Sequence, residues 1–134
     1  PADFAVLAGD DGLALPTVAL GGRGVISVAS NEIPAAMTEL VRLARSGDFV
    51  AARRLHMTHW PLFEANFLET NPVPVKAALA AMGVCQEVYR LPLTPMREAT
   101  RKQLMKVLRA LRLLPGPAVA EGSGDGRGPG RARS

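Results

Sequence analysis

Two short apolar runs, FAVLA at Phe4–Ala8 and GVISV at Gly24–Val28, constrain this chain more than any other feature. A strand with one wet face alternates polar and apolar residues. Runs without that alternation suit strands of a parallel sheet that is covered on both faces. Between the two runs lie the turn residues Gly9-Asp10-Asp11, then Gly12–Leu20, predicted as a short helix, then Gly21-Gly22 as its stop. Strand, helix and strand in that order form a βαβ unit with a right-handed crossover. The glycines of LGGRGVISVASN precede their apolar run. A phosphate-binding loop would follow a strand and open a helix, so this stretch reads as a helix stop feeding a buried strand.

More helices follow. Pro34–Arg45 places Met37, Leu40, Val41 and Ala44 on one face, with Ser30 or Asn31 as the expected start. Ser46-Gly47-Asp48 ends that helix and caps the next, predicted over Phe49–Glu69 with a bend ahead of Pro61. A third is expected to open at Asn71-Pro72-Val73-Pro74, to bury Val75, Leu79 and Met82, and to stop at Gly83. The last is expected to start at Thr94-Pro95 and run to about Leu113, burying Leu104, Val107, Leu108 and Leu111, with a Glu98–Lys102 pair on its surface. From Pro115 the chain is rich in Gly, Pro, Ser and Arg without periodicity and is predicted to be disordered.

Two strands with one crossover can neither cover both faces of a sheet nor pair both edges, so each strand requires parallel neighbours. The predicted fold class is α/β: the last two βα units of a (β/α)8 TIM barrel, followed by a three-helix C-terminal domain. The expected division is residues 1–46 as barrel end (strands 7 and 8 with their helices), 47–114 as helical domain and 115–134 as tail. The chain opens on Pro1 and enters a strand-like run almost at once, as though cut from something longer. No basic segment leads into a long apolar one, so no signal peptide is expected.

Charge is unevenly placed. Residues 1–96 carry seven Lys and Arg against nine Asp and Glu, whereas residues 97–134 carry nine against three. The basic end contains no aromatic side chain to stack a base, and its last arginines are diluted by glycine, so no nucleic-acid partner is expected. No apolar run approaches the ~18 residues of a membrane span, and no membrane partner is expected. Cys85 is the only cysteine, which excludes an internal disulfide and a cysteine-rich zinc site and fits a reducing cytoplasm.

Several residues invite chemistry. Gly9, Asp10 and Asp11 follow the first strand, at the sheet edge where α/β folds bind ligands. The carboxylates suit acid–base work or a metal; the plainer reading has one of them cap the following helix, with Gly9 presenting its backbone to a ligand. Ser27 has no GxSxG elbow around it and reads as core strand. His56 and His59, one turn apart, lack a clear third ligand and read as a packed helix face, so no metal site is expected. Lys76 could form a Schiff base if desolvated, yet it lies on an appended helix and reads as a surface or interdomain lysine. Cys85 reads as a small buried hydrophobe.

AGDDGLALPTVALGGRGVISVASN, ETNPVPVKAALAAMG and RLPLTP, in that order and spacing, closely resemble the C-terminal part of the dihydrodipicolinate synthase family. These are pyruvate-dependent class I aldolases, with N-acetylneuraminate lyase as a relative; NPVPVK and GVISV look more like the synthase branch. The likeness runs from about Phe4 to Leu114. It implies a cytoplasmic homotetrameric lyase that condenses pyruvate with L-aspartate 4-semialdehyde on the route to diaminopimelate and lysine. A lysine imine serves as electron sink, and no cofactor is needed. Carried over by position, Ile26 and Gly9 match residues that line the pyruvate pocket. No catalytic residue maps onto this chain: the resemblance puts the Schiff-base lysine on the sixth strand and the proton-relaying tyrosine and threonines on earlier ones. The family's regulatory lysine site likewise falls outside. The chain is therefore expected to be catalytically incomplete alone. Two alternatives stand beside this reading, a fragment of a related 2-oxo-acid lyase and a non-catalytic helical interaction module.

Overall fold

Leu7 pairs with Gly24 and Ala8 with Val25 in a parallel two-stranded sheet, β1 (Leu7–Ala8) beside β2 (Gly24–Val25). Flanking bonds from Arg23 N to Val6 O and from Ile26 N to Ala8 O, both 2.8 Å, extend the ladder by a residue at each end. The computed structural model describes residues 3–115. After β1, Asp11–Leu13 form a 3₁₀ turn and α1 (Ala14–Ala19) makes the crossover to β2. Gly21, at φ +97°, closes α1 in a conformation that costs a residue with a Cβ.

Past β2, Ala29–Asn31 form a second 3₁₀ turn, and then α2 spans Pro34–Arg45. Gly47 (φ +85°) ends α2, and the Asp48 side chain accepts from Ala51 N at 3.0 Å to cap α3 (Phe49–Ala65), within which Pro61 lies. The remaining helices are α4 (Val73–Ala81) and α5 (Glu98–Ala110).

One apolar cluster joins both parts of the chain. Ala14, Ile33, Met37 and Leu40 from the first part meet Leu62, Phe63, Val73, Ala77, Leu104 and Leu108 from the second. The strands are treated differently: Phe4 is 72% exposed, Val6 54% and Leu7 46%, although their run was expected to be buried on both faces. Each strand also shrinks to two residues. Beside β2 a cleft of about 400 Å³ opens among Leu7, Arg23, Val25, Ser27, Met37 and Val41.

Helix boundaries depart from expectation where side chains serve other partners. Ser30 and Asn31 do not start α2; their side chains bond back to the Ser27 and Val28 carbonyls, and Ile33 is the N-cap. Rather than reaching Glu69, α3 stops at Ala65, because Asn66 turns its side chain into the interior. In α4 the buried positions are Val73, Pro74, Val75, Ala77 and Ala78, while Leu79 and Met82 are half-buried. The segment after Thr94-Pro95 is not helical until Glu98. There Glu69, from before α4, accepts from Arg97 N (3.0 Å) and from the Thr100 hydroxyl, capping α5 from a distance in sequence. In α5 Leu104 and Leu108 are fully buried and Val107 is half-buried, as is Leu111, the C-cap just past the helix end at Ala110, short of the expected Leu113; the Glu98–Lys102 pair forms at 2.6 Å. Cys85, expected to be buried, is exposed in the connection between α4 and α5. The tail from residue 116 lies outside the described residues.

Candidate functional site

The carboxyl ends of β1 and β2 lie side by side, since Ile26 N bonds to the carbonyl of Ala8, the residue before Gly9. Parallel pairing thus brings the two turns, Gly9-Asp10-Asp11 and Ile26-Ser27-Val28, to one edge. Gly9 and Ile26 are both exposed there, Ile26 at 68%, and a Cβ built on Gly9 would meet nothing within 4 Å. The space in front of this edge is open, and the cleft beside β2 includes neither residue.

The two aspartates divide their work. Asp10 is the N-cap of its own 3₁₀ turn, taking Gly12 N at 2.7 Å. Asp11 is fully buried and reaches across to the other turn, where Oδ2 accepts from Val28 N (3.1 Å) and Ala29 N (2.8 Å). Each carboxylate is engaged through one oxygen by backbone amides. Ser27 Oγ accepts from Ser30 N at 2.8 Å and acts as a local turn-former.

Behind the edge sits a polar group that sequence reasoning missed. Glu32 is 5% exposed, and its Oε2 accepts from Asn66 Nδ2 at 2.6 Å. Burial pushes the Glu32 carboxyl up to about 7; the Asn66 bond opposes the rise and the Asp11 charge adds to it. Asp11 Oδ1, Glu32 Oε1 and Asn66 Oδ1 are buried with no hydrogen-bond partner among the described residues. The only signal in the sequence was a glutamate at the head of an amphipathic helix and an asparagine inside an apolar run, both ordinary on their own.

The histidines separate. His56 is buried, tilted against Trp60 (5.3 Å) and Phe63 (5.7 Å) with its pKa lowered by burial, whereas His59 Nδ1 pairs with the Leu55 carbonyl at 2.9 Å. Among the described residues no three His, Cys, Asp or Glu side chains gather as metal ligands, and no helix is long and apolar enough to cross a membrane. Lys76 belongs to a different structure. Its ammonium donates to the Val88 carbonyl and lies 5.5 Å from the centre of the Tyr89 ring, which fastens the α4–α5 connection. The Tyr89 hydroxyl in turn shares its one proton between Val73 O (3.2 Å) and Glu87 (3.0 Å), and Arg101 holds Glu87 with two 2.6 Å bonds.

Comparison with known proteins agrees along nearly the whole described chain. The model of the dihydrodipicolinate synthetase family matches residues 1–111. The 4-hydroxy-tetrahydrodipicolinate synthase of Acidobacterium capsulatum is 55% identical over 114 residues, which cover 85% of this chain and 38% of that enzyme. The crystal structure of dihydrodipicolinate synthase from Aquifex aeolicus superposes with a TM-score of 0.83 at 46% identity, over 85% of this chain and 39% of that one. The chloride-inhibited synthase from Acinetobacter baumannii, complexed with pyruvate, superposes with a TM-score of 0.80 at 39% identity, over 83% and 38%. This chain therefore spans about two fifths of the length of the relatives it matches. On sequence and on fold alike, it belongs to the dihydrodipicolinate synthetase family.

Proposed function

We propose that this chain supplies the last two βα units and the helical C-terminal domain of a 4-hydroxy-tetrahydrodipicolinate synthase. In that setting Gly9 and Ile26 line the pyruvate pocket at the barrel mouth. The observation that carries the reading is the parallel β1–β2 pair, with both carboxyl ends at one open edge and its apolar flank exposed at Phe4, Val6, Leu7 and Ile26. Such a pair is stabilised by further parallel strands, which a (β/α)8 barrel provides. The likeness to synthases at about 50% identity and high TM-score supports it, as does the pyruvate complex of the Acinetobacter baumannii relative.

The chemistry follows from the imine. A lysine amine condenses with the pyruvate carbonyl and releases water. The iminium then draws electrons from the adjacent methyl, which loses a proton and attacks the aldehyde of L-aspartate 4-semialdehyde. Gly9 leaves room for the 2-oxo acid to approach the backbone, and Ile26 offers an apolar wall beside it. Neither residue exchanges a proton, and Lys76 is fastened to the α4–α5 connection, so the amine comes from another part of the barrel. In the whole enzyme the setting is cytoplasmic and the assembly a homotetramer of this family's kind.

Borohydride reduction in the presence of pyruvate tests the proposal. The 134-residue chain alone should form no adduct. Joined to the part of the Acidobacterium capsulatum synthase that it leaves uncovered, it should form a barrel that condenses the two substrates, with the adduct outside this chain. An adduct at Lys76 overturns the site assignment. A joined protein that folds but neither traps pyruvate nor turns over favours the helical interaction module; turnover of N-acetylneuraminate instead would move the chain to the lyase branch.

A further inference from the structure

The Asp11 carboxylate is the one side chain among the described residues that bonds across the two turns of the candidate site. Its Oδ2 takes the N–H groups of Val28 and Ala29 at 3.1 and 2.8 Å. These amides open the 3₁₀ turn Ala29–Asn31, whose own N-cap, Val28, has no side chain able to accept them. Ile26 is consequently held on both sides, by the Ala8 carbonyl on its own N–H and by the amides clamped just after it. Asp11 itself stands two residues beyond Gly9, so a single carboxylate sets the spacing between the turn that bears Gly9 and the turn that bears Ile26.

Stability alone does not account for this arrangement. A fully buried carboxylate is costly, and Asp11 keeps one oxygen unpartnered next to a second buried carboxyl, Glu32, whose own Oε1 is also unpartnered. A neutral asparagine would satisfy the same amides without the desolvated charge, though with weaker bonds, because an ionised acceptor roughly doubles a hydrogen bond's strength. The charge yields stiffness at this edge.

We propose that Asp11 is a positioning residue for pyruvate: its buried carboxylate holds the turn after β2 so that Ile26 meets the 2-oxo acid at a fixed distance from Gly9. This rests on the reading that Ile26 and Gly9 line the pyruvate pocket. Asp11 touches no substrate, and its effect is on binding geometry rather than on proton transfer.

The test uses the barrel formed by joining this chain to the remainder of the Acidobacterium capsulatum synthase. Amide exchange is followed in the chain alone and in the joined protein. Asp11→Ala should speed exchange at Val28 and Ala29 by about tenfold or more and raise the pyruvate KM about ten- to a hundredfold, with kcat and the KM of the aldehyde nearly unchanged. Asp11→Asn, which keeps the shape and removes the charge, should recover most of the loss and remain about two- to fivefold above wild type in both readouts. Two outcomes overturn the proposal: unchanged exchange at Val28 and Ala29, or faster exchange with an unmoved pyruvate KM. If Asp11→Ala does not fold, an Asp11→Asn protein identical to wild type in both measurements overturns it equally. Ile26→Ala separates this claim from the one beneath it. An unaltered pyruvate KM in that variant removes the pocket assignment, and with it the positioning role, whatever Asp11 does to exchange.

Discussion

The strand pair and the packed faces of α3, α4 and α5 use similar apolar residues in opposite ways. From α3 to α5, Leu62, Phe63, Val73, Leu104 and Leu108 are all buried against partners that the same 134 residues supply. Between residues 3 and 28, Phe4, Val6, Leu7 and Ile26 are exposed, while the smaller Ala8, Ala14 and Val18 are buried. The contrast is one of geometry. A helix completes its backbone hydrogen bonds internally and needs only a stripe of contacts, which two other helices can give. A parallel strand completes neither its edges nor its faces alone. Hydrophobicity therefore tells which residues seek burial, and secondary structure tells whether this chain can provide it.

The sharpest way to break the contrast is to hollow out the helical part. Leu104→Ala should remove about 2–5 kcal/mol, read as a lower urea midpoint, since the site is fully buried at the meeting of α3, α4 and α5. A loss no larger than that of an exposed leucine would mean the helices do not close on themselves.

The seam between the parts comes next. Glu32 keeps its proton up to about 7 in the folded chain, against an ordinary value of 4.5. Below the lower value both states are protonated and above the higher both are ionised. Between them only the folded state holds the proton, so stability falls as pH rises, by on the order of 3 kcal/mol across the window. Urea melts at pH 5 and pH 8 should show the decline, and Glu32→Gln should flatten it.

A smaller effect probes the α4–α5 connection. Tyr89→Phe removes the bonds to Val73 O and Glu87 and should cost about 1 kcal/mol, with faster amide exchange over residues 84–93. The smallest change falls on the open strands. Phe4→Ser should leave the stability of the chain alone within about 0.5 kcal/mol, because the ring is already exposed. In the joined barrel the same substitution should destabilise. Equal behaviour in the two settings would erase the difference between the parts.

Much of this was legible beforehand. The parallel pair, the stops at Gly21, Gly47 and Gly83, the Asp48 cap and the burial of Met37, Leu40, Leu104 and Leu108 follow from periodicity and turn chemistry, which act over a few residues. What escaped depends on residues far apart. Glu69 supplies the cap of α5, 28 residues before Arg97, so the local signal at Thr94-Pro95 pointed to the wrong start. Asn66 and Glu32 are 34 residues apart, and neither hints at the other. At the candidate site, the edge shared by Gly9 and Ile26 followed from the strand order, while the reach of Asp11 across it, to amides 17 and 18 residues on, left no local signal.

Trp60 offers a consequence of its own. The only tryptophan, it lies over Gly12, where an added Cβ would stand 3.0 Å from its ring, and so it touches the 3₁₀ turn after β1 from within α3. Its emission is thus an optical gauge placed where the two parts meet. A red shift that precedes the loss of helical dichroism on heating would register their parting before either one melts.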